Sequence, residues 1–226
     1  MRVSAAWLFL TTVPACIPVM PHPTRVDPAF RVGMNASFAY MTDSQSTTGE
    51  VTALRVPSFD FDVSLGIRDT SSSDRAAMRL SASAGFSGFG GSLYVEGPRP
   101  WLGDFDAGLG LAAHHGAMNV LMPYLQFGRE YRSTASWFVR NGVVVVSSAG
   151  SSTRRTLWMP TVGLFRHIEG RDASVYVSGI IGGHQPRVER YCLFFECLDY
   201  SNSYTRTYLI LGATLSLPLA RASLPR

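Results

Sequence analysis

The adjacent histidines His114 and His115 are the residues whose type and position first suggest catalysis. They lie at the end of a predicted strand, beside Gly116, where an imidazole needs a nucleophilic serine and an acid in one geometry to act as a general base. No Gly-x-Ser-x-Gly sequence occurs in the chain, and its serines are so abundant that a nearby one carries no information. The same reasoning applies to His167, which lies two residues from Glu169 at the turn of a predicted hairpin. The sequence therefore identifies no catalytic residue, and we expect no enzyme.

The cysteines offer a second kind of chemistry. Cys192 and Cys197 are five residues apart, and in an exported protein such a pair predicts a local disulfide. Free thiols and a metal pair are the alternatives, although a metal would need more ligands and His184 is the only further candidate nearby. We expect no metal and no cofactor.

The N-terminus has the features of an export signal. Arg2 supplies a positive charge, residues 5–13 form a short apolar core, and a small-residue cleavage site ends at Ala15. The core is too short to cross a membrane as a helix. The sequence Val-Pro-Ala-Cys that ends at Cys16 resembles a bacterial lipobox, so lipidation of Cys16 and plain signal cleavage near the same place both remain open.

Composition excludes several classes of protein. The chain has 226 residues, enough for one sizeable domain, and no segment holds the ~20 uninterrupted apolar residues of a membrane helix. Charged residues make up only 16%, whereas soluble domains have about 25%. The net charge of +4 is spread out, and no basic cluster is longer than Arg154-Arg155. We therefore expect no nucleic-acid partner.

The elements that must position these residues follow from a period of two. Between Phe59 and Arg68, every odd position is apolar and every even position is polar, charged or glycine, so an extended strand has one oily and one hydrophilic face. The pattern recurs, with long strands of a length that suits a bilayer. The predicted strands are 30–41, 54–68, 75–86, 89–96, 104–114, 118–128, 136–148, 156–168, 173–183 and 204–219, with a long loop over 184–203 before the last.

This pattern resembles the small outer-membrane β-barrel proteins of Gram-negative bacteria over residues 30–219. The resemblance implies an all-β fold, an antiparallel up-and-down transmembrane β-barrel of about ten strands in the bacterial outer membrane. It also implies outer-membrane lipid and the outer-membrane assembly machinery as partners, and leaves the oligomeric state unknown. Many such proteins end in an aromatic residue, whereas this chain ends in Arg226. We expect a signal peptide over 1–15, an extended N-terminal tether over 16–29, the barrel over 30–219 and a C-terminal tail over 220–226.

Polar and charged side chains on the second face would point into the barrel. The predicted lumen-facing charges are Arg31, Asp60, Asp62, Arg68, Arg79, Glu96, Asp104, Asp106 and Arg206. About ten strands leave little open bore, so we expect these charges to pair across a packed or narrow lumen. This favours a structural or narrow-pore, transport-like barrel. The alternatives are an exported lipoprotein whose lipocalin-like barrel binds an apolar ligand, and an outer-membrane enzyme that modifies lipids.

Overall fold

The computed structural model describes most of the chain from residue 20 onward. The described ranges are 20–45, 51–68, 77–85, 88–97, 104–116, 118–131, 134–148, 154–182, 185–193 and 196–221. Within them, only the backbone is described at 41–45, 51–56, 118, 146–148, 154–155, 182, 185–193, 196–208 and 221. In this part of the chain, no helix is long and apolar enough to span a membrane.

Ten antiparallel strands form a closed barrel, as the sequence predicts. The described residues contain eleven strands in all, which are β1 (Ala29–Gln45), β2 (Val51–Arg68), β3 (Ala77–Gly85), β4 (Gly88–Glu96), β5 (Asp106–Gly116), β6 (Met118–Tyr131), β7 (Ala135–Ser148), β8 (Arg154–Ile168), β9 (Arg171–Gly182), β10 (Gln185–Leu193) and β11 (Glu196–Arg221). Each of β1 to β8 pairs with the next strand, β9 pairs with β11, and β11 pairs back onto β1. β10 lies outside this ring and pairs with the first part of β11.

Closure is made by the first and last strands of the ring. Phe38 of β1 lies opposite Leu211 of β11, and the pairing continues from Ala29 to Gln45 with one irregularity near Phe30. A sheet in hydrocarbon must have no free edge, since no water is available there to bond unpaired backbone groups. The long β1–β11 register meets this requirement.

The alternation predicted from sequence sorts the side chains as expected. Leu109 and Leu211 face outward with 66% and 50% of their surface exposed, whereas Asp60 and Asp62 on the opposite face are 3% exposed. Many other large apolar side chains are exposed on the outer surface, among them Phe61, Val175 and Leu164. A barrel with an oily exterior and a charged interior is built to sit in a bilayer.

The predicted long loop over 184–203 is wrong. Residues 185–193 and 196–204 pair as an antiparallel hairpin that extends the β11 side of the barrel. Proline at position 186 argues against a central strand, but β10 pairs on one side only, so a missing donor is tolerated there. The unpaired edge of β11 beyond the ring supplies the partner that the local sequence does not reveal.

The two ends of the barrel differ. We call the end that carries Ala29 and Arg221 the terminal end and the opposite end, with the β10–β11 hairpin, the loop end. At the terminal end, Glu169 and Gly170 connect β8 to β9, and both have positive φ values, of 49° and 81°. Two such residues form the tight turn that suits the twist of a hairpin, which confirms the predicted hairpin at this position.

Candidate functional site

The bore of the barrel is lined by the charges that alternation predicts, with one exception. Asp60, Asp62, Arg79, Glu96 and Asp106 are buried on the inner face, and Arg31 and Arg68 are half-buried there. The side chain of Arg206 lies outside the described residues.

Asp104 is not a lumen residue. Its side chain is 78% exposed and accepts a 2.8 Å hydrogen bond from Arg129. It lies in the turn before β5 rather than within the strand. The predicted strand began two residues too early. Asp104 and Asp106 are two positions apart, so both fit the same polar face of an alternating strand.

The N-terminal segment Met20–Pro28 lies inside the bore, and we call it the plug segment. Met20, His22, Thr24 and Val26 are buried, although the segment contains no strand. It enters at the terminal end, because it leads directly into Ala29, and runs inward towards Met20. The predicted tether spans 16–29, and its location inside the barrel over the described residues was not anticipated from sequence.

Wall side chains satisfy the backbone of the plug segment. Arg79 donates to the carbonyl oxygens of Pro23 at 2.9 Å and Arg25 at 3.0 Å. Gln126 donates to the carbonyl oxygen of His22 at 2.9 Å and to the Thr24 hydroxyl at 3.0 Å. An extended segment away from water must find partners for its peptide groups, and here long polar side chains of β3 and β6 provide them.

A clamp of two charges holds the outer part of the segment. Glu96 accepts a hydrogen bond from the backbone N–H of Val26 at 2.7 Å and also pairs with Arg68. Arg68 in turn donates to the carbonyl oxygen of Val26 at 2.9 Å. Both peptide groups of one plug residue are thus bonded to a buried ion pair of the wall.

Glycines in the inner wall make room for the segment. A Cβ atom at Gly66 would overlap the carbonyl oxygen of Asp27, and one at Gly128 would overlap the Thr24 hydroxyl. Deeper in the bore, His22 Nε2 lies 3.1 Å from Asp62 Oδ2. The wall is therefore shaped to the segment as well as bonded to it.

Aromatic rings and an arginine fill the space beside the plug segment. The guanidinium of Arg140 lies 4.5 Å from the centre of the Tyr124 ring and donates to Gln126 Oε1 at 2.9 Å. The Tyr176 hydroxyl donates to Asn35 Oδ1 at 2.9 Å. These residues were missed by the sequence reasoning. One signal was available, since inward glycines lie opposite inward tyrosines in neighbouring strands.

A small cavity of about 200 Å³ remains at the terminal end, between the plug segment and the wall. Ser136, His167, Asp172 and Arg31 are among the residues that line it. His167 Nε2 lies 3.0 Å from Ser136 Oγ, and His167 Nδ1 lies 2.6 Å from Asp172 Oδ1. The second carboxylate oxygen of Asp172 accepts a 2.7 Å bond from Arg31.

The residues first considered for catalysis are not brought together. His115 faces outward, where its ring centroid lies 5.0 Å from that of Phe89 and its Nδ1 contacts Asn119. His114 is half-buried on the opposite face of β5. The histidines of this pair therefore point to different sides of the barrel wall.

For the predicted cysteine pair, the structure describes the backbone only. Cys192 and Cys197 are directly opposite each other in the β10–β11 hairpin, but their side chains lie outside the described residues. Cys16 and the predicted signal peptide over 1–15 also lie outside them. Among the described residues, no group of three or more His, Cys, Asp or Glu is arranged to hold a metal ion.

Comparison with known proteins returned similar structures but no similar sequences. No protein-family model and no curated protein matches the chain. Among solved structures, the KdgM porin is 10% identical, with a TM-score of 0.37, and the match covers 80% of this chain and 99% of that one. Neisserial surface protein A is 11% identical, with a TM-score of 0.34 and coverages of 81% and 96%. The outer membrane protease OmpT from Escherichia coli is 8% identical, with a TM-score of 0.38 and coverages of 86% and 98%.

Sequence identities and TM-scores this low do not transfer a function from those proteins to this chain. The class of protein therefore has to be identified from the geometry of the barrel itself. The ring has no free edge, its outer surface is apolar, and its charges are buried inside. The chain forms a ten-stranded β-barrel of the membrane-spanning kind, and its bore holds the chain's own segment Met20–Pro28.

Proposed function

We propose that this protein is a structural outer-membrane barrel with a closed bore, rather than an open channel. The observation that carries the proposal is the plug segment, whose buried residues are bonded to Arg79, Glu96 and Gln126 of the wall. Around it, Phe138 and Met122 are each 1% exposed. A solute would have to displace both the segment and these side chains. In this proposal the apolar exterior contacts outer-membrane lipid, and the outer-membrane assembly machinery inserts the chain.

The polarity of the barrel argues against an apolar ligand in the interior. A lipocalin-like carrier would line its cavity with residues such as Leu65 and Leu109 and expose its carboxylates. Here Leu109 faces outward, while Asp60, Asp62 and Glu96 are buried inside. An apolar ligand would meet a charged and already occupied bore, which favours the structural role.

Single-channel recording in planar bilayers tests the closed bore. The folded protein, shown by heat-modifiable migration on gels, should give no stable conductance steps at salt concentrations where porins conduct. Persistent steps from the wild-type chain would overturn the proposal.

Trypsin cleavage after Arg25 tests the position of the plug segment. In the folded protein this bond should be protected, because the Arg25 carbonyl oxygen and the flanking residues are bonded to the wall. Gly66→Val should expose it, since the new side chain overlaps the backbone at Asp27. Gly179→Val is the matched control, because a Cβ there meets its nearest neighbour, Pro160, at an ordinary 3.7 Å. Rapid cleavage of the folded wild type would show that the bore is empty.

A further inference from the structure

We propose that Ser136, His167 and Asp172 form a serine hydrolase centre at the terminal end of the barrel, acting on short-chain acyl esters. The proposal goes beyond the structural role, and it differs from the sequence expectation that the chain contains no catalytic residue. It stands on the geometry of the three side chains and on the cavity that they line. Such a centre is recognised by geometry and not by order in the sequence.

The hydrogen bonds of His167 define its role. An ionised carboxylate only accepts, so the 2.6 Å contact to Asp172 places the proton on Nδ1. In the neutral imidazole, Nε2 then carries the lone pair and faces the Ser136 hydroxyl at 3.0 Å. This is the arrangement in which a histidine removes a proton from a serine, with an acid holding the ring in the correct tautomer.

The barrel wall holds the three residues rigidly. The Glu169–Gly170 turn brings His167 and Asp172 to opposite positions in the β8–β9 hairpin. The backbone N–H of His167 donates to the backbone carbonyl oxygen of Thr134 at 2.7 Å. Thr134 directly precedes β7, which carries Ser136. Sites on strands that are supported by a second set of bonds keep the geometry that catalysis requires.

Arg31 fixes the carboxylate from the other side. It donates to Asp172 Oδ2 at 2.7 Å and to the carbonyl oxygen of Gly170 at 3.3 Å. Asp172 is therefore held by two bonds through different oxygens, and its side chain is 5% exposed. Asp172 and Arg31 are positioning residues, since neither would touch the reacting bond.

The cavity limits the substrate. Its volume of about 200 Å³ equals the space of roughly six or seven waters, enough for an acetyl-sized group and part of its alcohol. Its lining includes the charged side chains of Arg25, Arg129 and Glu130, so a long hydrocarbon chain is neither accommodated nor matched. By the usual orientation of such barrels, both chain ends face the periplasm, and the ester would enter from that side.

The reaction balances with water as the only co-reactant. Ser136 Oγ attacks the ester carbonyl carbon while its proton moves to His167 Nε2. The carbon–oxygen bond to the alcohol breaks, and the alcohol leaves with that proton. Water then attacks the acyl-serine, giving one proton to Nε2. The bond to Oγ breaks, Ser136 regains the proton, and the carboxylic acid is released. Besides Arg31, the cavity is lined by Arg25 and Arg129, and either would donate to the oxyanion in addition to its carboxylate partner.

The test uses the full-length folded protein in detergent with p-nitrophenyl acetate, p-nitrophenyl palmitate and a fluorophosphonate. We expect saturable release of p-nitrophenol from the acetate, little from the palmitate, and one phosphonyl adduct that peptide mass spectrometry places on Ser136. Ser136→Ala should lower the rate at least 100-fold. Ser174→Ala is the matched control, because Ser174 is a buried inward serine that pairs with Thr214 instead, and it should keep the wild-type rate.

The variant Asp172→Asn tests whether Asp172 orients the His167 imidazole for catalysis or only stabilises the folded barrel. A variant that folds, by heat-modifiable migration, should lose kcat by about 100-fold or more with KM changed less than about threefold, since the wrong imidazole tautomer faces the serine. If Ser136→Ala fails to fold, the adduct on wild-type Ser136 still decides. Absence of both hydrolysis and adduct from the folded wild type would overturn the proposal, as would full activity of Ser136→Ala. Faster cleavage of the palmitate would overturn the substrate class.

Discussion

Replacing Glu96 by alanine should destabilise the barrel far more than replacing an exposed carboxylate. Glu96 is 2% exposed and bonds both the Val26 N–H, at 2.7 Å, and Arg68. Without it, an N–H group in the bore loses its partner, and the side chain of Arg68, only 12% exposed, loses its counter-charge. Removing one member of a buried ion pair costs about 3–5 kcal/mol, mainly because the other charge remains buried.

Two further variants calibrate this value. Glu96→Gln keeps an acceptor for the Val26 N–H but leaves Arg68 without its counter-charge, so the expected cost is about 3 kcal/mol, at the lower end of the range for Glu96→Ala. Asp104→Ala breaks a similar arginine–carboxylate pair whose side chains are 44% and 78% exposed. Exposed pairs contribute roughly 0–1 kcal/mol, so this variant should be close to wild type.

Reversible urea unfolding in phospholipid vesicles measures these differences. Trp101, Trp137 and Trp158, which follow the predicted signal peptide, supply the fluorescence signal, and heat-modifiable migration on gels reports the folded fraction. The expected order of unfolding free energies is wild type and Asp104→Ala, then Glu96→Gln, then Glu96→Ala. If Glu96→Ala unfolds at the same urea concentration as Asp104→Ala, water reaches Glu96 and the plug segment is not bound as described.

Three other outcomes can be measured with similar material. Leu109→Arg should destabilise the barrel by about 2–4 kcal/mol in vesicles if that outward position lies near the bilayer midplane, and unchanged stability would contradict its lipid contact. Gly212→Ala should cost about 1–3 kcal/mol, because its Cβ overlaps an inward tyrosine ring, whereas Gly179→Ala should be nearly neutral. Cys192 and Cys197 should form a disulfide, since they are opposite in the hairpin. Mass spectrometry of the non-reduced protein should detect the linked peptide, and two alkylated thiols would contradict the bond.

The alternating stretch Phe59–Arg68 shows how much of the fold can be predicted from sequence. A period of two assigns each residue to one face of a strand, and low overall charge with long strands indicates which face meets lipid. Asp60, Asp62 and Leu65 are accordingly placed on the expected sides. The ten strands of the ring and the Glu169 hairpin follow from the same local information, because they depend on neighbours in the chain.

Other features depend on residues that only folding brings together. The prolines of Met20–Pro28 exclude a regular strand, but nothing local says that the segment enters the bore, since its partners come from several strands. Ser136 and Asp172 are likewise far apart in sequence, and the registers of β7, β8 and β9 place both beside His167.

The sequence by itself determined the strands and the direction in which their side chains point, because strand geometry imposes a period of two on any chain that buries one face. The tertiary structure decided what fills the interior. The filling of the interior depends on the width of the closed ring and on hydrogen bonds between residues far apart in sequence. Neither can be predicted from any single stretch of the chain.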